Sequence, residues 1–125
     1  MISDNVGTFR FQKLEIWKKA ITIGHKLLDV ADKLEKRKLY RFAEQVRGAS
    51  LSISNNIAEG SGSTSKKDFA HFLNIARRSA FENANMVIVF KERGLIGNNE
   101  KNELLQNLDE VCRMITGFSR NLKAK

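Results

Sequence analysis

Leu14-Glu-Ile-Trp-Lys-Lys-Ala-Ile-Thr-Ile-Gly-His-Lys-Leu-Leu-Asp-Val-Ala-Asp-Lys-Leu34 is the stretch that decides the fold. At about 100° per residue, Leu14, Trp17, Ile21, Gly24, Leu28 and Ala31 form one stripe. Ile16, Ala20, Ile23, Leu27, Val30 and Leu34 form a second beside it. Together they fill an arc of about 200°, wider than the ~100° that one core contact needs. Glu15, Lys18, Lys19, Thr22, His25, Lys26, Asp29, Asp32 and Lys33 take the remainder. So clean a division predicts an α-helix with apolar surface to cover on more than one side.

The same period continues down the chain. A second segment, about 40–59, carries Phe42, Ala43, Val46, Ala49, Ile53 and Ile57. Gly48, Ser50, Ser52 and Ser54 beside that stripe leave room for a neighbouring backbone. Gly60 reads as the end of this helix, where a positive φ is tolerated. A third segment starts at Ser65, a natural N-cap with Asp68 three residues on, and stops at Gly94. Phe69, Phe72, Leu73, Ala76, Ala80, Ala84, Val87 and Phe90 form its stripe, widened by Ala70, Ile75, Phe81, Met86 and Ile88. The fourth runs from about Asn99 to Lys123, on Leu104, Leu108, Val111, Ile115, Phe118 and Leu122. Short connections between long helices predict an all-α fold, an antiparallel up-down-up-down four-helix bundle over residues 10–125. Residues 1–9 read as a flexible leader.

Composition agrees. The 125 residues include no proline, where average usage would give about six. One cysteine, Cys112, excludes an internal disulfide and a Cys-based zinc site. No apolar run approaches the roughly 18 residues of a membrane span. No basic-then-apolar leader opens the sequence. A cytoplasmic protein with no membrane partner is the expectation.

The sequence offers little catalysis. Only two histidines occur, and Asp68-x-x-His71 is a single, terminal echo of the Glu-x-x-His pairs of di-iron bundles. No Ser-His-acid set stands out. Gly60-Ser-Gly-Ser-Thr-Ser-Lys66-Lys67 leads into a helix N-terminus but lacks P-loop spacing and a preceding strand. The expectation is no enzyme, no catalytic residue, no metal and no cofactor.

Charge points elsewhere. Twenty-two Lys and Arg against fourteen Asp and Glu give +8, a balance that suits a polyanion. Residues 10–38 hold nine bases and four acids. The candidate nucleic-acid contacts are Lys18, Lys19, Lys26, Lys36, Arg37, Lys38, Arg41, Lys66 and Lys67. Glu15–Lys19, Asp29–Lys33 and Asp32–Lys36 at i,i+4 would neutralise part of this charge. The wide arcs of the first and third helices predict a homo-oligomer in contact through those helices. Repeated basic patches would then add avidity for a long polyanion.

One stretch carries a family resemblance. Gln45-Val-Arg47-Gly-Ala-Ser-Leu-Ser-Ile-Ser-Asn-Asn56-Ile-Ala-Glu59-Gly60 closely resembles the signature of the bacterial 23S rRNA intervening-sequence proteins. Their relatives include the accessory variability determinants of diversity-generating retroelements. Phe11-Gln-Lys-Leu-Glu-Ile-Trp-Lys-Lys-Ala20 resembles their first helix. Ser65-Lys-Lys-Asp-Phe69 and Phe72-Leu-Asn-Ile-Ala-Arg-Arg-Ser79 resemble their third. The resemblance implies a four-helix bundle, a basic homopentamer, a nucleic-acid partner, a possible polymerase or reverse transcriptase partner, and no catalysis. A scaffold that docks such a polymerase, with nucleic-acid affinity incidental, is the rival function. Ser54 stands where many relatives carry proline, which predicts a straighter second helix. Arg47, Asn56, Glu59, Arg77 and Glu82 lie at the borders of apolar arcs. They form either an inter-helix polar network that fixes register or, for the arginines, a nucleic-acid surface.

Overall fold

The computed structural model describes residues 8–124. Most of the expected leader, residues 1–7, therefore lies outside the described residues. A short 3-10 turn, Arg10–Lys13, leads into α1 (Glu15–Lys36), α2 (Tyr40–Ser50), α3 (Ser52–Ser61), α4 (Lys66–Glu92) and α5 (Asn98–Ala124). No strand occurs among the described residues. α2 and α3 are two halves of one bundle member, so the architecture is the expected all-α four-helix bundle.

Side-chain pairs fix the topology. Along α1, Lys19, Lys26 and Lys33 meet Glu110, Glu103 and Glu100 of α5 in turn. Rising numbers meet falling ones, so the pair is antiparallel. Phe42 meets Phe90 and Ala49 meets Asn83, which sets α2 antiparallel to α4. Phe69 against Phe118 does the same for α4 and α5. α1 and α4 share no side and lie on the diagonal. Between them runs one core that includes Ile23, Leu27, Ile53, Ile57, Leu73, Val87, Leu108 and Ile115, all at 2% exposure or less.

Three local readings need correction. The second helix is not straight: it breaks at Leu51. Ser50, Ser52 and Ser54 each turn a hydroxyl onto the carbonyl three residues back, at 2.9, 2.7 and 3.0 Å. These bonds compete with the backbone ladder and bend it, so a segment without proline is bent all the same. Gly60 does not end the helix. It is buried inside α3, with no positive φ, and a Cβ there would stand 2.7 Å from Phe72 Cβ. Close approach of α4 is what requires glycine. Gly48 faces open space, and the tight approach to the bend comes instead from Gly24 of α1, whose added Cβ would meet the Ser50 carbonyl at 3.1 Å.

The wide arc of α1 is covered in part within the chain, with Ile21 and Leu28 left half-buried. Its second stripe is buried, and Leu14 and Trp17 pack half-buried against the core. Phe11 closes over Trp17 at 5.1 Å between ring centroids. α4 differs, for Phe81, Ile88 and Val89 stay exposed. Ser65 Oγ accepts from the Asp68 N–H at 3.1 Å as the N-cap. Gly94 turns out of α4 with φ +72°.

Candidate functional site

The nine candidate phosphate contacts fall into three groups that do not share a surface. Lys18, Lys19 and Lys26 lie on α1, and all three are already paired. Lys18 reaches Glu15 at 3.5 Å. Lys19 reaches Glu110 at 2.9 Å and the Asn107 side-chain Oδ1 at 3.3 Å. Lys26 reaches Glu103 at 2.6 Å. Lys33 adds Glu100 at 2.9 Å. This zipper takes the place of the expected i,i+4 pairs, because antiparallel α5 presents its own line of carboxylates to α1. The hydrogen bond from Lys26, and then its charge, hold the Glu103 carboxyl below the ordinary glutamate range. Lys19, Lys26 and Lys33 thus form a neutralised seam with α5 and not an open patch.

Lys36, Arg37, Lys38 and Arg41 are exposed at the α1–α2 turn. Lys38 sits at φ 64°. The Leu39 N–H bonds back to Leu34 and the Lys38 N–H to Glu35, which caps the helix in the manner usually built on glycine. Lys66 and Lys67 lie at the other end of the bundle, about 33 Å away by the length of α1.

The expected polar network forms only at Arg47. Its guanidinium bonds Asp32 at 2.8 Å and Glu35 at 2.9 Å, tying α2 to α1, and these two bonds raise its affinity for its proton further. Asn56 donates to Ser52 within its own helix. Glu59 and Glu82 are exposed, and neither is ion-paired among the described residues. Arg77 lies over the Phe81 ring at 4.9 Å. The buried amide is instead Asn83, at 0% exposure, which the sequence pattern did not single out.

Arg77 opens onto a different feature. A trough of about 580 Å³ runs between α4 and α5, lined by Arg77, Phe81, Ala84, Leu105, Cys112 and Arg120 among others. A second hollow shares Arg77, Thr116 and Arg120 and adds Lys123. A third shares Lys123 and reaches Lys66, Lys67 and His71. The three hollows adjoin along the α4–α5 groove, each sharing lining residues with the next, and together they are termed the channel. Asp109 is the acid in its lining, and Arg113 holds it at 3.0 Å. Lys66, Lys67, Arg77, Arg120 and Lys123 are not ion-paired among the described residues. At the floor, burial pushes the Cys112 thiol up, while nearby Arg77 draws it back.

Of the basic residues lining these hollows, the sequence pattern singled out Lys66, Lys67 and Arg77 and passed over Arg113, Arg120 and Lys123. The available signal was Arg113, Thr116, Arg120 and Lys123 at 3–4 spacing beside the α5 core stripe. Among the described residues no three His, Cys, Asp or Glu side chains gather as metal ligands. None of their helices is long and apolar enough to cross a membrane.

Fold and site together define a basic four-helix bundle in which five cations without ion pairs among the described residues, Lys66, Lys67, Arg77, Arg120 and Lys123, line the α4–α5 groove. The family model described as 23S rRNA-intervening sequence protein matches residues 12–117, and the chain belongs to that family. A crystal structure from Bacteroides thetaiotaomicron, described as a protein of unknown function from the S23 ribosomal protein family, superposes with a TM-score of 0.79. It is 19% identical, and the match covers 83% of this chain and 97% of that one. That likeness supports the fold. No curated protein matches.

Proposed function

We propose that this chain binds nucleic acid through phosphates along the α4–α5 channel and catalyses no reaction. One observation carries the reading: Lys66, Lys67, Arg77, Arg120 and Lys123 line adjoining hollows of the α4–α5 groove without carboxylate partners among the described residues, while Lys19, Lys26 and Lys33 are paired with α5. Cations so placed release condensed counterions when they meet a phosphate polymer. The turn carrying Lys36, Arg37, Lys38 and Arg41 offers a longer strand a second, separate contact. Copies of the chain associate, in this reading, through the outer face of α4, where Ile88 and Val89 are exposed. Ultracentrifugation should then return a multiple of 14.2 kDa.

The test is a salt titration of RNA binding by fluorescence anisotropy, RNA first because the family is named for 23S rRNA. Five phosphate contacts on a single strand predict a slope of log K against log salt of roughly −3.5. Arg120→Ala with Lys123→Ala should flatten that slope by about 1.4. Lys26→Ala should leave it nearly unchanged. No binding at low salt would overturn the proposal.

A further inference from the structure

We infer that the channel takes single-stranded nucleic acid in preference to duplex, with an unpaired base stacked on Phe81. The inference rests on the phosphate reading above and names its substrate class. A site for phosphates alone has no need of an apolar floor, yet this one has Phe81, Ala84, Leu105 and Cys112 beside its cations. Phe81 is a large aromatic left 58% exposed, the most exposed of the large apolar side chains on α4. The Arg77 guanidinium 4.9 Å from the ring centroid occupies part of the ring's surroundings and still leaves it more than half open.

Paired bases are stacked inside a helix and cannot offer a face to an aromatic on the protein, whereas unpaired bases can. Cationic tracks interleaved with aromatic platforms are the arrangement that single strands use. From Lys66 to Arg77 is about 16 Å along α4, the length of roughly five stacked nucleotides. The strand's phosphates therefore follow Lys66, Lys67, Lys123 and Arg120 while a base at the Arg77 end meets Phe81.

The test measures anisotropy with labelled oligo(U) of about 12 nucleotides, a length within the range of known single-strand sites, and with an RNA duplex of equal length. Phe81→Leu keeps the apolar bulk and removes the π-face. It should weaken oligo(U) binding roughly 5- to 100-fold without changing the salt slope, because no phosphate contact is lost. Phe81→Trp should retain or tighten binding, and its added indole should be quenched by oligo(U) beyond the parent's Trp17 signal. Equal affinity for both probes with Phe81→Leu silent would overturn this inference and leave phosphate binding standing. Loss of sedimenting mass in Phe81→Leu with affinity unchanged would also overturn it, since a second copy would then cover the ring. Absence of binding to either probe at low salt would overturn the phosphate reading and this inference together.

Discussion

The side-chain amide of Asn83 crosses from α4 to donate to the Ala49 carbonyl, 3.1 Å away, just before the bend between α2 and α3. The same nitrogen donates to Ser79 in its own helix at 2.9 Å. The Ala49 carbonyl also accepts from the Ser52 hydroxyl. A bend driven by serine hydroxyls is thus locked from the opposite helix, in a place no water reaches. Two carbonyl acceptors fix which way the amide faces and leave its own oxygen buried without a partner.

Asn83→Asp tests this lock most sharply. The carboxylate would face two carbonyl oxygens inside the core, an unpaired buried charge. Its folded-state pKa is then raised above the unfolded value, so the folded protein holds the proton more tightly. Stability therefore falls as pH rises through the carboxylate range and is partly restored in acid, where the protonated oxygen can donate to Ala49. Urea melts at pH 7 and pH 5 should show a larger deficit at pH 7. Asn83→Ala should lose about 1–3 kcal/mol with little pH dependence.

The glycines divide by what surrounds them, which sets up opposite outcomes for one chemical change. Gly60→Ala drives a Cβ to 2.7 Å from Phe72 Cβ and 3.0 Å from Phe69 Cδ1. Separating α3 from α4 should cost about 1–3 kcal/mol. Gly48→Ala, with nothing within 4 Å of its added Cβ, should raise stability by about 0.5–1 kcal/mol through helix propensity alone. Paired thermal melts check both signs. Equal destabilisation by the two would remove close approach as the reason for Gly60.

The sequence made the helices legible because burial follows a 3.6-residue period: Leu14–Leu34, Ser65 as a cap and Gly94 as a stop each read correctly from local chemistry. It did not reveal the bend, because Ser50, Ser52 and Ser54 are ordinary weak helix residues until their hydroxyls choose backbone acceptors. Charge pairing was also hidden. Lys26 finds Glu103, 77 residues away, and no local spacing announces that partner. The channel suffered the same fate, since Arg77 and Arg120 converge only when α4 and α5 align. Local reading counted cations, and tertiary register decided which were free.

The α1–α5 seam has a consequence in acid. The Glu103 carboxyl lies below its ordinary range, first through the Lys26 hydrogen bond and then through that charge. A lowered folded pKa contributes stability that is present above the unfolded glutamate value and is lost as pH falls through the folded one. Melts in acid should therefore fall less steeply with pH in Lys26→Met than in the parent. The seam is solvent-exposed, so salt should shrink the difference between the two.

Cys112 supplies a native reporter for the channel, because it lines the hollow shared by Arg77, Phe81 and Arg120. Burial raises the pKa of its thiol above the ordinary cysteine value, with the Arg77 charge opposing that rise and Asp109 adding to it. Only the thiolate reacts with a maleimide, so labelling in the free protein should be slow at pH 7 and accelerate toward alkaline pH. Removing the opposing charge in Arg77→Ala should slow labelling further at a given pH. Saturating oligo(U) covers the channel and should slow labelling by about tenfold or more, with the protection fading as salt releases the strand. Mass spectrometry of the labelled chain reads this directly, as Cys112 is its single cysteine. Labelling indifferent to bound RNA would place the strand elsewhere, with the exposed α1–α2 turn the next surface to probe.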